Sequence, residues 1–195
     1  MTPSELSALL VLATVSSFTP GPNTTLSTAM AANHGLGRAM RFVCAVPVGW
    51  GILFVLCATG LGGLVVAFPP LRWGIVVLGN GYLLWLASRL WGSGSLQQAD
   101  SAKLQVGFVQ GVGLQFLNIK AWMLALAIVA GWVAGREDAA ERTLMLLPIM
   151  VAYGFVSNLT YAVAGSMLRH WLAHGRRLLV FNRCMAGALL ATVVW

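Results

Sequence analysis

The chain has 195 residues, of which 58% are hydrophobic and 9% are charged. A soluble domain carries about 25% charged residues, so this composition excludes an ordinary soluble domain and is typical of a membrane protein. The net charge of +7 does not indicate nucleic-acid binding. The basic residues form no clustered face and mostly border apolar runs, where such residues set membrane topology.

Six apolar segments are predicted to cross the membrane as α-helices within a single transporter domain that spans residues 1–195. A polar linker at 93–105 separates a first repeat, about 1–92, from a second repeat, about 106–195. Each half holds three segments, and an odd number of spans gives related halves opposite orientations. The predicted fold is therefore an all-α membrane protein of six transmembrane helices arranged as two inverted three-helix repeats. The segments cover residues 4–33, 42–67, 70–91, 106–134, 143–168 and 178–195.

The first segment is interrupted in its middle by Thr19-Pro20-Gly21-Pro22-Asn23, although residues 6–37 contain no Lys, Arg, Asp or Glu. Each proline lacks a backbone donor and clashes with the preceding turn, so a continuous helix is not expected. Broken backbone at membrane depth is tolerated only where protein buries it or where it lines a watery cavity. The second half of this helix begins near Thr24. Its free N–H groups and positive dipole end favour an anion such as an amino-acid carboxylate.

The fourth segment opens the second repeat and holds an amide and a charge at mid-span, Asn118 and Lys120. Such groups are costly in hydrocarbon and usually functional. Three roles are open for Lys120: it binds a substrate carboxylate, it titrates, or it pairs with backbone carbonyls of the broken helix. Asn118 and its counterpart Asn23 either bridge backbone groups at the two breaks or contact substrate. We expect the second break to be weaker than the first, because Ile119 stands where a proline would break the helix.

Three further positions are polar, aromatic or proline residues inside predicted spans. Asn158 places an amide in the fifth segment, where a helix-to-helix hydrogen bond competes with a substrate contact. Trp122 follows the second break and is predicted to line the cavity, whereas Pro47 is predicted to mark a kink. The remaining tryptophans are predicted to be interfacial anchors: Trp50, Trp85, Trp91, Trp132 and Trp171.

The sequence contains no motif of an enzyme, a nucleotide site or a metal site. There is no H-E-x-x-H, G-x-S-x-G or P-loop pattern, so we predict no catalytic residues, no cofactor and no transport driven by ATP at this chain.

The basic residues predict the membrane topology. Of the five loops between the six predicted spans, the first, third and fifth hold eight Lys and Arg residues, and the second and fourth hold three. The positive-inside rule then predicts that the odd loops are cytoplasmic and that both termini are periplasmic.

Several of these motifs together resemble the LysE/RhtB-type amino-acid exporters. They are Thr19-Pro20-Gly21-Pro22-Asn23, His34-Gly35, Arg38-Ala39, Gly79-x-Gly81-Tyr82-Leu83-Leu84-Trp85-Leu86 and the mid-chain Phe116-x-Asn118-x-Lys120-Ala121. The stretch Leu114-Gln115-Phe116-Leu117-Asn118-Ile119-Lys120 resembles the cysteine/O-acetylserine exporter subgroup, which also has a non-proline residue before the lysine. The resemblance implies proton-driven export of an amino acid or derivative across the bacterial inner membrane.

One departure from the family bears on the substrate. The second segment reads Val48-Gly49-Trp50 and lacks the acidic residue that basic-amino-acid exporters of this family carry near such a glycine. A cationic side chain would find no intramembrane carboxylate, so small neutral zwitterions are expected, either of the cysteine/O-acetylserine type or of the homoserine/threonine type.

The sequence thus predicts a secondary exporter with alternating access, whose cavity lies near the midplane between segments one and four. Thr24 and Lys120 are expected to attract the substrate carboxylate, and carbonyls released before Pro20 to hold the amino group. The predicted partners are an amino acid, protons and the lipid bilayer, and a homodimer is left open. The alternatives are a passive channel for small neutral solutes with paired half-helices and a non-transporting membrane subunit. The predicted substrate-binding residues are Pro20, Gly21, Pro22, Asn23, Thr24, Asn118, Lys120, Trp122 and Asn158.

Overall fold

The computed structural model describes residues 1–93 and 106–193, and every regular element within these ranges is a helix. Apart from Ser93, the predicted polar linker lies outside the described residues. The helices are α1 (Pro3–Phe18), α2 (Pro22–His34), α3 (Leu36–Ala58), α4 (Leu61–Ala67), α5 (Pro69–Trp91), α6 (Phe108–Leu117), α7 (Ile119–Ile128, continued by a π-helical turn at Val129–Val133), α8 (Ala139–Leu172) and α9 (Arg177–Val193).

The predicted second segment, 42–67, is wrong in its last third. The helix α3 ends at Ala58, and Gly60 follows with φ of 103°, a left-handed conformation that stops the helix and favours glycine. The short helix α4 then meets α5 at an angle of 95°. The residues that sequence analysis assigned to the end of one span therefore form a separate element joined to the next helix.

Two helices, α3 and α8, are each long and apolar enough to cross a membrane. Two bent pairs, α4 with α5 and α6 with α7, raise the number of candidate spans in the described ranges to four. Large apolar side chains also cover the outer surface, for example Val11, Val77 and Met167, which are 64%, 64% and 78% exposed. A surface of this kind suits lipid. An all-helical membrane protein is confirmed, and the six-span inverted repeat stays a prediction.

The helix α2 lies at the centre of the bundle and packs against α8 and α3, while α9 packs against α5 and α2. Glycines let these helices approach closely. A side chain at Gly165 of α8 would collide with the backbone of Thr28 in α2, and one at Gly79 of α5 would collide with the backbone of Leu117. Both glycines therefore lie at close contacts between helices.

One cluster of ionic contacts joins the start of α1 to the start of α8. Glu5 accepts from Arg136 at 3.2 Å and from Arg142 at 3.5 Å, and its backbone carbonyl accepts from the indole of Trp132. Arg142 also donates to Asp138 at 2.8 Å, a hydrogen bond that lowers the pKa of the Asp138 carboxyl. These contacts fix the first turn of α1 against the rest of the bundle.

Candidate functional site

The first helix break occupies Thr19–Gly21, as the two prolines predict. The helix α1 ends at Phe18, Thr19 and Gly21 are extended, and α2 begins at Pro22. Proline suits the first position of a helix, where its missing N–H would have no intrahelical acceptor. The hydroxyl of Thr24 accepts from the backbone N–H of Gly21 at 2.9 Å and so closes the first turn of α2.

Three carbonyls at the end of α1 accept hydrogen bonds from side chains of other helices. Ser157 Oγ donates to the carbonyl of Ser17 at 2.5 Å, and Tyr161 donates to that of Phe18 at 2.8 Å. Lys120 Nζ donates to the carbonyl of Thr19 at 2.7 Å. We expected carbonyls released before Pro20 to be open to a substrate amino group. In this structure protein donors already occupy them, because Ser157 and Tyr161 on α8 and Lys120 on α7 lie within reach.

The second break is centred on Asn118, which is extended and separates α6 from α7. The two helices meet at 68°, so this break is a sharp bend although Ile119 is not a proline. The Asn118 side chain accepts from the backbone N–H of Lys120 at 3.1 Å and caps α7. The indole of Trp122 donates to the carbonyl of Phe116 at 2.8 Å across the bend. Both groups therefore stabilise the broken backbone.

Two contacts connect the breaks to each other. Asn23 and Gln115 exchange hydrogen bonds between their amides, at 2.8 and 3.2 Å, and the Gln115 side chain is fully buried. Lys120 packs over Gly21, where a Cβ would lie 3.2 Å from Nζ. The sequence reasoning missed Gln115 as a site residue. Its signal was an amide at mid-span within the same stretch as Asn118, three positions earlier.

A cavity of about 80 Å³ lies where the two breaks meet. At about 30 Å³ for each molecule of liquid water, this is room for about three water molecules, so the cavity in this conformation suits only a small solute. Of the predicted substrate-binding residues, Gly21, Pro22, Asn23, Thr24, Asn118, Lys120 and Asn158 line this cavity. Pro20 and Trp122 are not among its lining residues, so the prediction that Trp122 lines the cavity is wrong: its indole is held at the bend instead.

Two residues of α3 that were given other roles also line the cavity. Pro47, which is predicted to mark a kink, lies within α3 and also borders the cavity. Trp50 was predicted to be an interfacial anchor, but it is only 7% exposed and stacks on Phe54 with ring centroids 5.3 Å apart. The sequence could not reveal this because the helix faces that meet the cavity depend on tertiary packing.

The predicted helix-to-helix hydrogen bond of Asn158 is present. Its side-chain oxygen accepts from Ser27 of α2 at 2.9 Å, and its amide nitrogen donates to the carbonyl of Gly154 at 2.8 Å. Asn158 also lines the cavity, so both of the roles weighed for it are compatible with its position.

Lys120 is the one charged side chain among the described residues that line the cavity, and no carboxylate lies among them. Its ammonium is paired with a backbone dipole, the carbonyl of Thr19, rather than with a counter-ion. A cation held this way in a low-dielectric cavity attracts an anionic group more strongly than it would in water. The site therefore suits a small molecule that carries a carboxylate and no net positive charge.

The sequence model of LysE type translocators matches residues 14–194, nearly the whole chain. The chain belongs to the LysE type translocator family. The resemblance to this family is thereby confirmed, as is the prediction that the chain is a transport protein and not an enzyme.

Curated relatives of this translocator include proteins named cysteine/O-acetylserine efflux protein. The one from Klebsiella pneumoniae is 30% identical over 179 residues, which is 91% of each chain. Those from Salmonella choleraesuis and Escherichia coli K12 are 28% and 27% identical over the same share of each chain. The predicted likeness to this subgroup is confirmed. No solved structure matches the chain.

Proposed function

We propose that this translocator is a secondary exporter of a small neutral amino acid or derivative across the bacterial inner membrane, driven by protons. The observation that carries the proposal is the cavity at the meeting point of two helix breaks, with Lys120 as its single cation among the described lining residues. Paired broken helices around a midplane site are a common plan of secondary transporters.

The substrate carboxylate binds between Lys120 and the first turn of α2. The N–H groups in that turn, near Asn23 and Thr24, have no intrahelical acceptor and lie at the positive end of the helix dipole. Lys120 already reaches over Gly21 at the start of α2. A carboxylate placed there replaces the carbonyl of Thr19 as the partner of the ammonium, so binding releases one contact at the end of α1.

Size and charge favour a neutral substrate. The cavity of about 80 Å³ favours a small solute over a large one, and a lysine or arginine side chain would meet no carboxylate among the described lining residues. Relatives of this chain are named for efflux of cysteine and O-acetylserine, and both compounds are small and carry no net charge at neutral pH. These two are the substrates that we propose first.

The membrane arrangement of the proposal is the six-span inverted repeat, with odd loops in the cytoplasm and both termini in the periplasm. Coupling to protons requires a group that gains and loses a proton during the cycle. Lys120 is the candidate, because a lysine in a low-dielectric site readily changes protonation when its surroundings change.

The decisive experiment is uptake into inverted membrane vesicles that contain the translocator. We expect accumulation of cysteine and O-acetylserine against a gradient, loss of accumulation when a protonophore is added, and no accumulation of lysine. Accumulation that survives the protonophore contradicts proton coupling. Equilibration without accumulation contradicts secondary export and supports the passive channel with paired half-helices.

A further inference from the structure

Trp50 lines the cavity, and its indole N–H is a buried donor without an acceptor among the described residues. The side chain is 7% exposed, and no acceptor lies within hydrogen-bonding distance of Nε1 among the described residues. A buried polar group that stays unpaired is costly, and buried tryptophans usually find a partner for the N–H. Trp122, the other buried indole beside the site, does so by donating to Phe116.

Two contacts of α3 restrict the position of Trp50. Its ring lies parallel to that of Phe54, one turn further along α3, with an angle of 8° between the planes. Gly49, the neighbour of Trp50 in α3, lets α6 approach so closely that a Cβ there would lie 2.6 Å from the carbonyl oxygen of Val112. A rigid ring with an unused donor is suited to recognise a ligand rather than to pack alone.

The ring belongs to the same cavity as the proposed carboxylate site. Trp50 lines it together with Lys120 and Asn158, and apolar side chains of Leu124 and Met150 complete that part of the lining. A substrate whose carboxylate is held at Lys120 and α2 turns its own side chain toward the rest of the cavity, where α3 contributes Trp50. The acceptor that Nε1 lacks is then an atom of the substrate side chain.

We propose that Trp50 is a specificity-determining residue that donates a hydrogen bond from Nε1 to an oxygen in the substrate side chain. This inference rests on the function proposed above and names the substrate class more narrowly: small neutral amino acids that carry a carbonyl or hydroxyl oxygen beyond Cβ. An ester carbonyl is a good acceptor and a thiol sulfur is a weak one. Trp50 therefore favours O-acetylserine over cysteine and over apolar amino acids of similar length.

The test compares two ligands in proteoliposomes that hold the purified translocator. One is O-acetylserine, and the other is norvaline, whose unbranched apolar side chain is one chain atom shorter and has no acceptor. The substitution Trp50→Phe keeps an aromatic ring against Phe54 and removes the donor. We expect the half-saturating concentration of O-acetylserine to rise about 3- to 10-fold, and that of norvaline, measured by transport or by competition, to stay unchanged.

Two matched variants separate the donor from the packing. Phe54→Leu disturbs the ring stack and leaves the N–H in place, so it should change both half-saturating concentrations by the same factor. Trp50→His restores a ring N–H and should recover part of the preference for O-acetylserine. Half-saturating concentrations do not depend on the amount of folded protein, so a lower yield of one variant leaves the comparison intact.

The other outcomes distinguish a failure of this inference from a failure of the proposed function. If Trp50→Phe raises both concentrations equally, or neither, the inference is wrong while the proposed function stands. The inference is also wrong if the wild-type translocator prefers norvaline. If the wild-type protein carries no amino acid in the vesicle experiment above, the proposed function itself fails.

Discussion

The two helix breaks look alike in sequence position but are stabilised in different ways. At the first break, between α1 and α2, the exposed carbonyls accept from Ser157, Tyr161 and Lys120, which belong to other helices. At the second break, Asn118 and Trp122 hold the backbone with groups from within four residues of the bend. Side chains of other helices therefore hold the backbone of the first break, which we call the dependent break. Side chains of its own segment hold the second, which we call the self-contained break.

This difference suggests a division of roles. A break that is held by groups from within its own segment keeps its shape when neighbouring helices move, whereas a break held by α7 and α8 changes its contacts whenever those helices shift. Lys120 is carried by the self-contained break and donates to the dependent one. In the proposed mechanism, a substrate carboxylate that takes Lys120 away from Thr19 would act on the break that is held by other helices.

The largest effect is expected from Lys120→Met, which removes the cation that joins the two breaks. Export in the vesicle assay should fall about 30-fold or more, because a hydrogen-bonded charge in a desolvated site is lost. The methionine side chain is of similar length, so membrane insertion, measured by the amount of protein in the membrane fraction, should be retained.

The matched control is Lys103→Met, which removes the only other lysine of the chain, located in the polar linker of the sequence. It should export like the wild type. Wild-type export by Lys120→Met would show that the cation has no part in transport and would overturn the proposed mechanism.

A smaller effect is expected from separating the amide pair that links the breaks. Asn23→Ala leaves the buried Gln115 amide without its partner on α2, at a cost of about 1–3 kcal/mol. For a chain of this length the melting temperature in detergent should drop by about 3–10 °C. The double variant with Gln115→Ala should lose less than the sum of the single variants.

The control for this pair is Asn80→Ala, since Asn80 is only partly buried and donates to the carbonyl of Val193 at 3.5 Å, a weak contact. Its melting temperature should stay close to that of the wild type. Additive losses in the Asn23 and Gln115 variants would mean that the two amides do not stabilise each other.

The smallest effect is expected from Ile119→Pro at the self-contained break. Ile119 is the first residue of α7, where proline is favoured, and Asn118 before it is already extended, as a residue preceding proline must be. The free energy of unfolding should change by less than about 1 kcal/mol, and export should continue. Ala125→Pro, in the interior of α7, should instead destabilise the protein by about 3 kcal/mol. Equal losses from both substitutions would contradict this description of the bend.

Sequence reasoning succeeded where a single residue type dictates the backbone. Prolines at 20 and 22 predict the first break, and the amide and charge at 118 and 120 mark the second. It underestimated the bend at the second break because it relied on proline alone. The cap that Asn118 provides, and the indole of Trp122 across the bend, stabilise a break that no proline enforces.

The remaining features of the site depend on packing between distant segments. That Trp50 lies in the cavity and not at the membrane surface follows from the contact of α3 with α8 and α6. That the α1 carbonyls are occupied follows from the approach of Ser157 and Tyr161 on α8, more than a hundred residues later in the chain. Neither the hydrophobic pattern nor a local motif predicts such contacts between distant segments of the chain.

The ionic contacts of Glu5 hold the start of α1 in place, so a tilt of this helix would displace mainly its other end. One end of this helix is fixed by Arg136 and Arg142, and the other ends in the three carbonyls beside the cavity. Sixteen residues of α-helix span about 24 Å. A tilt of about 10° around the fixed end moves the carbonyl of Thr19 by about 4 Å, enough to break its bond to Lys120 together with those to Ser157 and Tyr161. A small rotation of α1 about its first turn would therefore release all three of these contacts at the site.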